Sequence, residues 1–122
     1  MLTPAQNDAN GCIVVAIHFD GSICVLDVRK KQHLWTMKVH EEIADTCAVA
    51  GARITTSSSD GTFAVSNWKT GQIEWKKKIG QPRRAVNGKV VGGYALAQEV
   101  WEEKVAAGTK DGRLLILDLK TG

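Results

Sequence analysis

Proline is nearly missing from this chain, with 2 in 122 residues, and cysteine is sparse, with 3. Cys12, Cys24 and Cys47 are an odd number with no Cys-x-x-Cys pair, which argues against a disulfide frame or a thiolate zinc site. Reduced thiols fit a reducing compartment, cytoplasmic or nuclear. The three histidines, His18, His33 and His40, have no metal-like spacing with acidic or thiol partners, so no metal is expected. Long apolar runs are also lacking. The longest, CIVVAI at 12–17, is too short to span a bilayer, and no membrane role is expected. The start, MLTPAQNDANG, has neither a positive head nor an apolar stretch of secretory length. Charge of one sign does not dominate either, the net being +3, which says little about partners. What the chain does have is glycine, 12 residues of it, against a globular 43% hydrophobic and 24% charged background.

Those glycines are regularly placed. HFDGSICVLDVRKKQHLW (18–35), SSDGTFAVSNWKTGQIEW (58–75) and TKDGRLLILDLKTG (109–122) align without gaps. Seven residues after each Asp of an Asp-Gly pair stands Asp27, Asn67 or Asp118, and eight further on in the first two copies stands Trp35 or Trp75. The first two Asp-Gly pairs, and the two tryptophans, are 40 residues apart. For strand-rich units, a period of this size indicates the blades of a β-propeller.

β-branched and apolar runs flank each Asp-Gly, CIVVAIH and SICVLDV in the first unit, RITTSSS and TFAVSNW in the second. Asp-Gly between such runs is a hairpin cue, because the turn needs positive φ, which Gly and Asp tolerate. QHLWTMK (32–38) and QIEWKKK (72–78) read as a further strand of each copy. DTCAVAG (45–51) and LAQEVWE (96–102) read as strands that precede the others. AQNDANG, the equivalent stretch of the first copy, is too polar for a strand. The expected tally is three, four and three strands. The expected division is a lead-in at 1–12, an incomplete blade at 13–40, a blade at 41–79, an inserted basic connection at 80–93 and an incomplete blade at 94–122.

VSNWKTGQIEW (65–75), VLDVRKKQHLW (25–35) and ILDLKTG (116–122) resemble the tryptophan-docking motif of quinoprotein-like β-propellers. Asn67 replaces the motif's Asp in one copy, and Lys30-Lys31 replaces Thr-Gly in another. The resemblance implies that Trp35 and Trp75 pack between adjacent blades. VHEEIADTCAVAGARITTSSSDGTFAVSNWKTG (39–71) is also similar to a WD40 repeat, with Val39-His40 where Gly-His stands in that family. No copy carries the terminal Trp-Asp. The WD40 likeness suggests a place for His40 in a hydrogen-bond network with Thr56, against the plainer reading of a surface histidine. The fold class expected is therefore all-β, with about two and a half to three antiparallel four-stranded blades.

The third Asp-Gly lies 51 residues after the second, so GQPRRAVNGKVVGG (80–93) carries an excess of 11, and Asn87-Gly88 makes it a candidate hairpin. It is also the most basic region. Lys76, Lys77, Lys78, Arg83, Arg84 and Lys89 follow one another without an intervening acid, and they are the candidate partner-binding residues. A lysine run is equally a solvated edge that blocks strand addition, and alternation sends Lys76 and Lys78 to one side and Lys77 to the other. Asp27 and Asp118 are expected to cap turns.

Nothing pairs a nucleophile with a base, so the expected function is a non-catalytic protein–protein interaction scaffold. One alternative is a fragment of a quinone-cofactor dehydrogenase, although the chain has no adjacent cysteines. Another is a basic surface for acidic partners such as nucleic acid, for which no RRM, KH or zinc pattern stands in support. Fewer than three complete blades imply either the remainder of a longer propeller or closure by self-association, with strand exchange between complementary ends.

Overall fold

A computed structural model describes residues 2–4, 13–92 and 94–122. Every element among them is a strand. Blade 1 holds β1 (Leu2–Pro4), β2 (Ile13–Ile17), β3 (Ser22–Asp27) and β4 (Gln32–Lys38), paired in that order. Blade 2 repeats the arrangement with β5 (Ala44–Ala50), β6 (Arg53–Ser58), β7 (Thr62–Asn67) and β8 (Gln72–Lys78). A two-stranded ribbon, β9 (Arg84–Val86) with β10 (Lys89–Val91), follows. Blade 3 comprises β11 (Ala95–Trp101), β12 (Lys104–Thr109) and β13 (Leu114–Asp118). All pairings are antiparallel.

The strand tally is thus four, four and three, which corrects the expected three, four and three. Blade 1 gains its first strand from Leu2–Pro4, whose residues pair with Val14, Val15 and Ala16. The polar AQNDANG stretch lies outside the described residues. With β1 in place, blade 1 has no vacancy for a strand from a second copy, so the N-terminal half of the strand-exchange idea falls away.

The Asp-Gly turns are built alike. At the first, the His18 N–H donates to the Ser22 carbonyl at 3.0 Å, and the Gly21 N–H donates back to His18 at 3.2 Å. Only the glycine takes positive φ, 86° at Gly21, 88° at Gly61 and 87° at Gly112. The aspartate has a different task from the one its tolerance of positive φ suggested. Asp20 Oδ1 accepts from the Ser22 N–H at 2.9 Å and hydroxyl at 2.6 Å, and Asp60 Oδ1 accepts likewise from Thr62 at 2.8 and 2.5 Å. These are Asx-type caps.

Bulges set the aim of the tryptophans. In blade 1 the register slips between Val25 and Leu26, which leaves Leu34 of β4 as the extra residue. In blade 2 it slips between Val65 and Ser66, leaving Glu74 of β8. The extra residue directly precedes Trp35 or Trp75, and a bulge at that point re-aims the next side chain. Two apolar clusters fill the space between blades. Ile13, Val15, Ile23 and Val25 of blade 1 meet Ile54, Ala64 and Trp68 of blade 2. Phe63, Val65 and Ile79 meet Ala95, Val105, Ala107, Leu117 and Leu119 of blade 3.

Candidate functional site

The Asp-Gly face of the molecule carries the connections between blades and the basic ribbon. Gly61 fixes the second connection, because its carbonyl accepts from the Ile79 N–H at 2.8 Å and the Gly80 N–H at 3.2 Å. A Cβ on Gly61 would collide with the Gly80 carbonyl. Beyond Gly80 the chain is tied once more, by the Arg83 N–H donating to Ser59 at 2.5 Å. It then turns out into the ribbon. Asn87 and Gly88 both have positive φ, 49° and 77°, as a two-residue type I′ hairpin requires. Lys89 pairs with Val86, which shares a side of β9 with Arg84, so Arg84, Val86 and Lys89 lie on one face of the ribbon. All three are exposed.

The six candidate cations therefore divide. Arg83, Arg84 and Lys89 lie together on the connection. Lys76, Lys77 and Lys78 lie along the outer edge of blade 2 and do not converge. Lys76 Nζ reaches back to the Val39 carbonyl at 3.1 Å, whereas Lys77 Nζ reaches forward to the Gly122 carbonyl at 3.2 Å. Lys78 sits opposite Thr62 at the end of β8 nearest the connection.

His40 is fully buried at the first connection and is no surface residue. Nδ1 lies 2.7 Å from the Thr62 hydroxyl, and Nε2 lies 2.8 Å from the Thr56 hydroxyl. The Thr62 hydroxyl proton goes to Asp60 Oδ1, so that oxygen must accept from Nδ1–H. Nε2 then accepts from Thr56. The ring is thereby held neutral, and burial lowers its pKa to about 4, partly opposed by the Asp60 charge. The other carboxylate oxygen of Asp60 accepts from the Glu41 N–H at 2.9 Å.

Asp45 and Phe19 were not singled out by the sequence. Asp45 is the bulge residue between Ala44 and Thr46 of β5, half-buried, with the Ser59 hydroxyl donating to Oδ2 at 2.7 Å. Burial raises its pKa, while Ser59 and the nearby Arg83 pull it down. It borders a cavity of about 210 Å³ with Ile17, His18, Phe19, Ile43 and Ala44. Phe19 is 87% exposed. Its signal in the sequence was an aromatic ring directly before Asp-Gly, where the other copies have Ser59 and Lys110.

On the opposite face the two tryptophans dock identically. Trp35 Nε1–H donates to the Trp68 carbonyl at 2.7 Å, and its ring lies against Gly71. Trp75 Nε1–H donates to the Leu119 carbonyl at 2.7 Å, and its ring lies against Gly122. Asn67 Oδ1 caps the first receiving turn through the N–H groups of Lys69 and Thr70, at 2.9 and 3.1 Å. Asp118 caps the second through Lys120 and Thr121, at 2.8 and 3.2 Å. Asp27 holds the corresponding turn of blade 1 through the Lys30 N–H at 3.1 Å. Among the described residues no three His, Cys, Asp or Glu side chains gather as a metal site.

A family model described as outer membrane protein assembly factor BamB matches residues 4–122. Comparison with curated proteins gives no match. Among solved structures, a europium-containing methanol dehydrogenase superposes with a TM-score of 0.68 at 20% identity, over 90% of this chain and 22% of that one. The chain thus spans about a fifth of that relative's length. The computationally designed Ika4 protein gives 0.58 at 18% identity, over 98% of this chain and 91% of that one. The designed Ika8 protein gives 0.56 at 20%, over 96% and 45%. At these identities the likenesses establish the fold, a β-propeller made of quinoprotein-like repeats.

Proposed function

The chain belongs to the BamB family of propeller repeat proteins, and on that footing we propose that it is a non-catalytic scaffold that binds a protein partner through the basic ribbon. The observation that carries the reading is the ribbon itself. It is an insertion of 11 residues beyond the repeat period, closed by a regular two-residue turn, with Arg84 and Lys89 exposed on one face beside Val86. Two cations around an apolar residue, held on a rigid blade, suit an acidic and partly apolar protein surface. The family description, an assembly factor, concerns work on other proteins, which agrees in kind.

Double charge reversal, Arg84→Glu with Lys89→Glu, is the test, because neither side chain is buried. A tagged chain and the variant are compared for retained proteins at matched salt. Retention of the same proteins at the same level by both overturns the assignment of this surface. A partner whose affinity falls steeply with salt and is destroyed by nuclease would instead be nucleic acid. The dehydrogenase reading gains from the methanol dehydrogenase likeness only its fold. Cys24 and Cys47 are far apart in sequence, and the described carboxylates do not assemble a metal site. Unchanged absorbance and thermal stability on titration with a quinone cofactor and calcium would dispose of it.

A further inference from the structure

Burial on the blades alternates in a way that gives each blade two different faces. In register, Ile23 and Val25 of blade 1 correspond to Phe63 and Val65 of blade 2 and to Leu114 and Ile116 of blade 3. The first pair is buried in the cluster with blade 2, and the second pair in the cluster with blade 3. The third pair is 71% and 60% exposed. This is the leading face of a blade. The trailing face shows the reverse order. Leu119 of blade 3 and Trp68 of blade 2 are buried against the preceding blade, whereas their equivalent in blade 1, Val28, is 52% exposed. Leu26 beside it is half-buried, although its equivalents Ser66 and Leu117 are buried.

We infer that a second copy of the chain covers both bare faces, the leading face of blade 3 in each copy seating on the trailing face of blade 1 in the other. Two observations select this occupant. The partner that a leading face meets twice within the chain is a trailing face, and among the described residues the uncovered trailing face belongs to blade 1 of the same chain. Further, three blades are too few to close, since closed propellers have roughly four to eight, and two copies bring six. The contact is head-to-tail and closes by a twofold rotation.

This junction differs from those inside the chain. Where Gly71 and Gly122 receive a tryptophan ring, blade 1 has Lys31, held at a φ of 53°. No ring seats closely over that lysine, so the junction lacks the indole lock and is the weakest of the ring. Association is therefore reversible and rises with concentration.

Sedimentation velocity on the chain, from low micromolar to hundreds of micromolar, tests the proposal. A shift from one to two chain masses is expected. Ile116→Glu on the leading face and Val28→Glu on the trailing face should each raise the dissociation constant at least tenfold. Mixing the two variants should restore a dimer, because the pair retains one intact face of each kind. Both side chains are exposed, and circular dichroism with tryptophan fluorescence checks that the variants are folded. A single-chain mass at every concentration, meaning that other polypeptide covers these faces, overturns the inference. So does a dimer that survives either substitution, or a mixture that stays monomeric.

Discussion

The junction between blades 1 and 2 and the junction between blades 2 and 3 use the same lock with different connecting chains. Trp35 spans 33 residues to its carbonyl acceptor and Trp75 spans 44, yet both bonds are 2.7 Å. The difference is the 11-residue insertion. The lock is therefore set by the bulged outer strand and the capped turn it meets, not by the path between them. The connections themselves are divided in labour. The first is short and buries His40 between two threonines. The second replaces that arrangement with Gly80 and the ribbon, and is secured from blade 3 by Arg113, which donates to the Ile79 carbonyl at 2.7 Å.

The largest expected effect tests the equivalence of the locks. Trp35→Ala and Trp75→Ala should each cost about 3–5 kcal/mol in urea unfolding, and the two losses should agree within about 1 kcal/mol. A mild effect at one site alone breaks the comparison. Next come the turn glycines. Gly21→Ala and Gly61→Ala drive a methyl into the carbonyls of His40 and Gly80, and should each cost about 2–3 kcal/mol. At Gly112 a Cβ meets nothing within 4 Å, so Gly112→Ala carries only the left-handed strain of about 1–2 kcal/mol.

The pH response should isolate the first junction. The pKa of His40 is about 4 in the folded chain and ordinary when unfolded, so the unfolded state takes up the proton first as pH falls. The stabilisation is complete above the unfolded value near 6.5 and is lost as pH drops toward 4, on the order of 2 kcal/mol by pH 4.5. Denaturant titrations at several pH values measure this slope, and His40→Gln should flatten it. If the slope persists in the variant, the histidine does not carry it. Smaller still, Asn67→Ala and Asp118→Ala should each cost about 1 kcal/mol by removing a turn cap at one junction and leaving the other intact.

Much of the fold could be read from the chain because the repeat writes the same turn chemistry more than once. Gln32–Lys38 and Gln72–Lys78 are strands over the expected residues, and the ribbon turns where Asn87-Gly88 said it would. β1 was missed for a physical reason. It is three residues long, includes a proline and is stabilised by pairing with β2, not by a pattern of its own. The burial of His40 was equally hidden, since its threonine partners lie 16 and 22 residues away. The lysine run looked like one patch because sequence order does not show that Lys76 and Lys77 are drawn toward different blades.

Because the indole lock tolerates an extra eleven residues in the path before it, the stretch from Gln81 to Gly92 is a natural graft site. Recognition loops of other lengths could be installed there while the neighbouring leaves keep their spacing, which would make this fold a carrier whose cargo changes without re-engineering the frame.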